Sequence, residues 1–204
     1  MPDETQRDLV ARKARDLFTS HGYGATTTDD IAASCKISKR TLYRLFSSKQ
    51  DLFAAAVDLH RFAMLKLPGD YDRLPLQLAL EEIFRVDIDA EADRERAAFL
   101  RLAIGESARF PELRAIIREH GIDASRRLLA AWFAHQRDLC RIAIDDVESA
   151  ARMLMDMMFG AVVFKADSEV PNLQGDERKA HQRRCIRVFV DGVRPRSGNV
   201  SATP

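Results

Sequence analysis

Five basic side chains, Lys36, Lys39, Arg40, Arg44 and Lys49, fall between positions 36 and 50, and no acidic residue interrupts them before Asp51. Lysine and arginine at this density neutralise phosphates, and arginine can also pair with the O6 and N7 edge of guanine. The chemistry on offer is therefore recognition of a nucleic acid. Hydroxyls stand among the charges: Thr27, Thr28, Ser38, Thr41 and Tyr43 can each donate to a phosphate oxygen. The whole chain adds no attraction of its own, since 32 Lys+Arg against 31 Asp+Glu leave a net charge of +1. The effect is local, reaching over roughly a Debye length of ~8–10 Å. A merely solvated helix face is the plainer account of the same charges, and the segment around them weighs against it.

That segment, 26–46, reads as short helix, tight turn, short helix, the arrangement that sets its second helix into the major groove of DNA. A first helix from about Thr5 to His21 carries Leu9, Val10, Ala14, Leu17 and Phe18 on one face, and Arg7, Arg12, Lys13 and Arg15 mostly on the other. Gly22 ends it. Thr27 with Asp30 three residues on forms a capping box, and Ser38 is the expected cap of a third helix, Lys39 to Phe46, with Leu42, Leu45 and Phe46 inward. A fourth helix is capped by Ser47 with Gln50 or Ser48 with Asp51, carries Leu52, Phe53, Ala56, Leu59, Phe62 and Ala63, and ends at Pro68-Gly69. Longer helical segments follow, roughly 73–90, 94–108, 111–138, 145–166 and 176–193. No stretch alternates as a strand does, so the fold class is all-α.

Other chemistries find no support. The chain lacks G-x-x-x-x-G-K-[ST], G-x-G-x-x-G, G-x-S-x-G and H-E-x-x-H, and its five histidines never fall at i, i+4. No catalytic residue, metal site or cofactor is expected. The N-terminus is acidic and polar rather than a secretory leader, and no apolar run reaches the ~18–20 residues of a membrane span, so a cytoplasmic location is expected. Cys35, Cys140 and Cys185 are widely spaced and odd in number, which favours small buried hydrophobes over a disulfide or zinc frame.

The string Ala14, Leu17-Phe18, Gly22-Tyr23, Thr26-Thr27, Ile31-Ala32, Ile37-Ser38, Thr41-Leu42-Tyr43, Phe46, Lys49 and Leu52 resembles the DNA-binding domain of TetR-family transcriptional regulators. Glu106-Ser107-Ala108-Arg109-Phe110-Pro111-Glu112-Leu113 is similar to an AefR-type subgroup of that family. Two positions depart from the family's habit: Lys36 and Arg40 stand where it often has glycine. The resemblance implies a helix-turn-helix domain followed by a helical ligand-binding and dimerisation domain. The expected division is 1–52 for DNA binding, 53–193 for ligand binding and dimerisation, and 194–204 as a disordered tail.

The candidate DNA contacts are Thr27, Thr28, Ser38, Lys39, Arg40, Thr41, Tyr43, Arg44 and Lys49. A ligand cavity between helices could be lined by Phe62, Phe84, Phe99, Leu102, Phe110, Ile117, Leu128 and Trp132, with Glu106 or Arg101 as polar groups. Met153, Met157, Ala161 and Phe164 give the 145–166 segment more apolar residues than one buried stripe needs. With Ile186 and Phe189 of the last helix they are the candidate dimer interface, and the resemblance implies a four-helix contact at the same place. The basic run Arg178, Lys179, Arg183, Arg184 and Arg187 reads as the wet face of that helix. Together these point to a homodimeric, ligand-responsive repressor that binds a pseudo-palindromic double-stranded DNA operator. The alternative is a helical small-molecule or protein-binding module whose basic helix meets an acidic partner.

Overall fold

The computed structural model describes residues 3–163, 173 and 175–195, excepting the side chains of Asp3 and of 161–163. Among the described residues every regular element is helical: α1 (Asp3–His21), α2 (Thr28–Ser34), α3 (Lys39–Leu45), α4 (Lys49–Met64), α5 (Leu76–Ile83), α6 (Ala90–Arg109), α7 (Glu112–Ile116), a π-helical segment (Ile117–Asp123), α8 (Ala124–Asp138), α9 (Val147–Val163) and α10 (Gly175–Gly192). None of these helices is long and apolar enough to cross a membrane. Phe164, in the expected dimer interface, and the tail from position 196 lie outside the described residues.

Local chemistry sets the N-terminal boundaries. Gly22 takes a φ of 86°, open to glycine without strain, and stops α1. The Thr27 hydroxyl accepts from the Asp30 amide at 3.1 Å while the Asp30 carboxylate accepts from the Thr27 amide at 2.8 Å, closing the capping box of α2. Ser38 caps α3 and Ser48 caps α4, each through its side-chain oxygen.

Later boundaries shift. The 73–90 segment contracts to Leu76–Ile83 because Pro75 sets its start and Arg85, in the left-handed region at φ 51°, ends it. The next helix begins earlier than expected, since the Asp89 carboxylate accepts from the amides of Glu91 and Ala92, both at 2.9 Å. The segment 111–138 is not one α-helix: it widens to a π-helix around Gly121, which packs closely on Val57 of α4.

Two apolar cores result. One gathers Val10, Ala14 and Phe18 of α1, Ile31, Leu42, Leu45 and Phe46 of the helix pair, and Leu52, Phe53, Ala56 and Val57 of α4, and it also takes in Phe99, Ala103 and Leu113. The other joins Leu80, Ile83, Phe84, Leu129, Trp132, Phe133, Leu154, Ile186 and Phe189. The boundary expected after position 52 falls inside α4, whose buried side chains serve the first core on both sides of it. A helix that continues the hydrophobic stripe of its first turn gives no sequence mark at such a junction.

Candidate nucleic-acid interface

α2 ends in a left-handed turn. The Ile37 amide donates to the Ala32 carbonyl at 3.0 Å and the Lys36 amide to the Ala33 carbonyl at 3.0 Å, with Lys36 itself at φ 55°. This six-to-one, five-to-two pattern is the usual place for glycine, so Lys36 holds it at a cost of about 1 kcal/mol. The turn delivers the chain to Ser38, whose oxygen accepts from the Thr41 amide and lies 2.9 Å from the Thr41 hydroxyl. Leu42 and Leu45 anchor α3 in the core, which leaves Lys39, Arg40, Tyr43 and Arg44 exposed on its outer side.

Two contacts fix α3 against α2. The Lys39 ammonium meets the Asp29 carboxylate at 2.6 Å, and that partner raises its pKa above the ordinary lysine value. Tyr43, half exposed at 50%, shares a 3.1 Å hydrogen bond with the Thr28 hydroxyl. Thr27, Thr28, Ser38, Lys39, Arg40, Thr41, Tyr43 and Arg44 thus belong to one helix pair, with Thr27 committed to its capping box. Lys49 stands apart. Its ammonium lies 4.3 Å from the centre of the Tyr23 ring and 3.4 Å from the Gly24 carbonyl, and burial there lowers its pKa.

Arg7 is exposed on α1, on the polar face the spacing predicts, and from there its guanidinium donates to the Leu45 carbonyl and lies 4.2 Å from the centre of the Phe46 ring, gripping the end of α3. Spacing alone could not find this, because a long side chain on a polar face reads the same whether it is solvated or curled over a neighbour.

The residues expected to line one ligand cavity are not brought together. Phe84, Leu128 and Trp132 belong to the second core, whereas Phe99, Leu102, Phe110 and Ile117 belong to or flank the first. Phe62 is exposed beneath the Arg61 guanidinium. Glu106 and Phe110 face the DNA-binding unit: Glu106 accepts from the Gly24 amide at 2.9 Å, and Phe110 packs edge-on to Tyr23 with centroids 5.2 Å apart. Gly24 has no room for a side chain, as a Cβ would lie 2.9 Å from the Phe110 ring. The Glu106–Leu113 string is thereby a joint between the end of α6 and the α1–α2 turn.

The candidate dimer residues also divide. Met153 is 54% exposed on α9 and Met157 half-buried, but Ile186 (0%) and Phe189 (7%) face the protomer's own core, with Phe189 stacked on Phe133. The outward apolar residue of α10 is Val188, 66% exposed. Ala161 falls in α9. The basic run of α10 is not uniformly wet: Arg178 is buried on Asp93 at 3.0 Å, and Arg183 bridges Glu81 at 3.2 Å and Asp87 at 2.6 Å. Long-range carboxylates claim these cations. Of the cysteines, Cys185 is buried and Cys35 half-buried, but Cys140 is exposed.

Comparison with known proteins agrees with this geometry. Residues 11–56 match the family of bacterial regulatory proteins called tetR, and residues 79–192, more than half of the 204-residue chain, match the AefR-like transcriptional repressor C-terminal domain. The chain belongs to the TetR family. It is 28% identical over 176 residues to an HTH-type transcriptional regulator of Mycobacterium tuberculosis, covering 84% of this chain and 78% of that one. It is 25% identical over 191 residues to the HTH-type regulator UidR of Escherichia coli, covering 92% of each. Among solved structures, a TetR regulator from Agrobacterium tumefaciens superposes with a TM-score of 0.69 at 23% identity over 96% of both chains. The flavonoid-responsive regulator FrrA gives 0.64 at 27% identity, over 95% of this chain and 100% of the other. This TetR-family chain is therefore an HTH-type transcriptional regulator by family.

Proposed function

We propose that this chain is a ligand-responsive repressor that binds a pseudo-palindromic operator as a homodimer, with 1–52 reading DNA and 53–193 holding the effector and the dimer contact. The observation that carries the reading is the outer side of α3, where Lys39, Arg40, Tyr43 and Arg44 stand exposed on a helix whose inner side is locked into the core. Two such helices in a two-fold dimer reach successive major grooves roughly 34–36 Å apart. The match of 79–192 to an AefR-like repressor domain supports repression, and the likeness to the flavonoid-responsive regulator FrrA supports a small-molecule effector in general. The Glu106 and Phe110 joint supplies a route from the effector domain to the α1–α2 turn, and an effector that favours a different α6 position shifts the protein away from the operator-competent spacing.

Selection of genomic fragments by the purified protein at near-physiological salt, followed by footprinting, tests the reading. A protected two-fold-symmetric site is expected. Weak, sequence-blind enrichment would instead leave α3 as an electrostatic surface for an acidic partner.

A further inference from the structure

α6 turns Arg96, Phe99 and Ala103 inward on one face. Arg96 is 7% exposed, and its Nη2 donates to one Asp93 oxygen at 2.9 Å. The other Asp93 oxygen accepts from Arg178 at 3.0 Å, and Arg178 is also buried. One carboxylate thus serves two buried guanidiniums, and Nη1 of Arg96 has no hydrogen-bond partner in the protein. Across from this face α4 presents His60, 9% exposed, its ring 4.8 Å from Phe99 and its Nε2 likewise without a partner. Burial, with the charges of Arg96 and Arg15, holds this imidazole neutral, at a pKa of about 4. Arg85 adds a further positive charge towards Arg96.

A buried cation in excess of its counter-ions, with an idle N–H, is a costly arrangement for a fold to keep. Had α6 needed only to be fastened to α10, Asp93 with Arg178 would do so without Arg96. A bound anion offsets both costs at once, neutralising the surplus charge and accepting from the free N–H, in surroundings where a charge-assisted hydrogen bond is strong. The Phe99 ring, stacked on Phe53 at 6.2 Å and packed on His60 at 4.8 Å, gives the anion an apolar wall that keeps water from competing for it.

We propose that the effector is a small organic monoanion, a carboxylate, held by Arg96 Nη1 with His60 Nε2 beside it. The proposal rests on the ligand-responsive reading above and adds the chemistry of the ligand. The site lies between α4, which is continuous with the DNA-binding unit, and α6, which ends in the Glu106 joint, so filling it bears on both elements.

The test uses the full-length protein, with benzoate as probe and uncharged benzamide as its isostere. Melting of the wild type is compared with that of Arg96→Met, which keeps an apolar stem and leaves Asp93 its Arg178 partner, and of Arg96→Lys, which keeps the charge without the guanidinium fork. At about ten times its Kd benzoate raises the wild-type Tm by roughly 3–6 °C and benzamide does not; Arg96→Met loses the shift and Arg96→Lys keeps only part of it. No benzoate shift up to ~10 mM, or an equal shift in Arg96→Met, overturns the anion site. Operator binding followed in parallel separates the two readings. A benzoate shift with no operator release upholds the anion site and counts against ligand control of DNA binding. Release by some uncharged compound, with no benzoate shift, overturns the anion site and leaves ligand control standing.

Discussion

Lys36 occupies a backbone position built for glycine, at φ 55°, so Lys36→Gly should stabilise the fold by about 1 kcal/mol, read as a raised urea midpoint at unchanged slope. Exposure and engagement separate the basic residues further. Arg40 is exposed on α3, whereas Lys49 is occupied by Tyr23 and Gly24. Arg40→Ala should flatten the salt dependence of operator affinity by about one unit of slope, and Lys49→Ala should leave the slope near wild type while loosening the α1–α2 turn. A titration of Kd against salt decides both. His60 carries a pH prediction. Its folded pKa of about 4 lies below the ordinary 6.5, so between those values the unfolded chain binds the extra proton. The stability tied to neutral His60 is complete above pH 6.5 and is lost as pH falls towards 4, by up to about 1.4 kcal/mol per pH unit. Melting curves from pH 7.5 to 4.5 should show this slope in the wild type and a shallower one in His60→Asn.

At the scale of elements, the helix-turn-helix is held from three sides: by its own core, by Arg7 of α1 on the end of α3, and by the end of α6 on the α1–α2 turn. The last contact joins the packing of Phe99, Ala103 and Leu113 in the first core in linking the two parts of the chain. Glu106→Ala removes the acceptor of the Gly24 amide, at a cost of about 0.5–1.5 kcal/mol for a partly exposed hydrogen bond. Amide exchange at Gly24 and its neighbours should quicken in this variant while exchange in α8 and α9 stays as in the wild type; equal protection at Gly24 would show that Phe110 alone holds the joint. The ion pairs of α10 work in the same way at the other end of α6, since Arg178 and Arg183 tie α10 to the start of α6, to α5 and to Asp87.

For the whole molecule, the proposed homodimer needs a surface that meets a second copy. Among the described residues, the large apolar side chains exposed on α9 and α10 are Met153 and Val188, not Ile186 or Phe189. Val188→Glu, alone or with Met153→Glu, should yield a folded monomer with weakened operator binding by sedimentation and anisotropy, whereas a charge at Ile186 should unfold the protomer. What the sequence determined by itself is local: the all-helical class from apolar spacing, the caps at Thr27 and Ser38, the glycine stop at Gly22, and the basic helix-turn-helix with its dense family motif, whereas for the cap of α4 the sequence allows Ser47 or Ser48 and the structure takes Ser48. The class, the caps and the stop each depend on residues within about one helical turn of one another, the range over which backbone capping and side-chain periodicity act, and the family motif strings such local signals together from Ala14 to Leu52. Tertiary structure alone decided the partners of the long polar side chains. Glu106 reaches Gly24 across 82 residues and Arg178 reaches Asp93 across 85, and the candidate pocket residues divide between two cores. A charged residue on a helix carries the same local signal whether water, a carboxylate or another element lies opposite it; only the packing of helices says which.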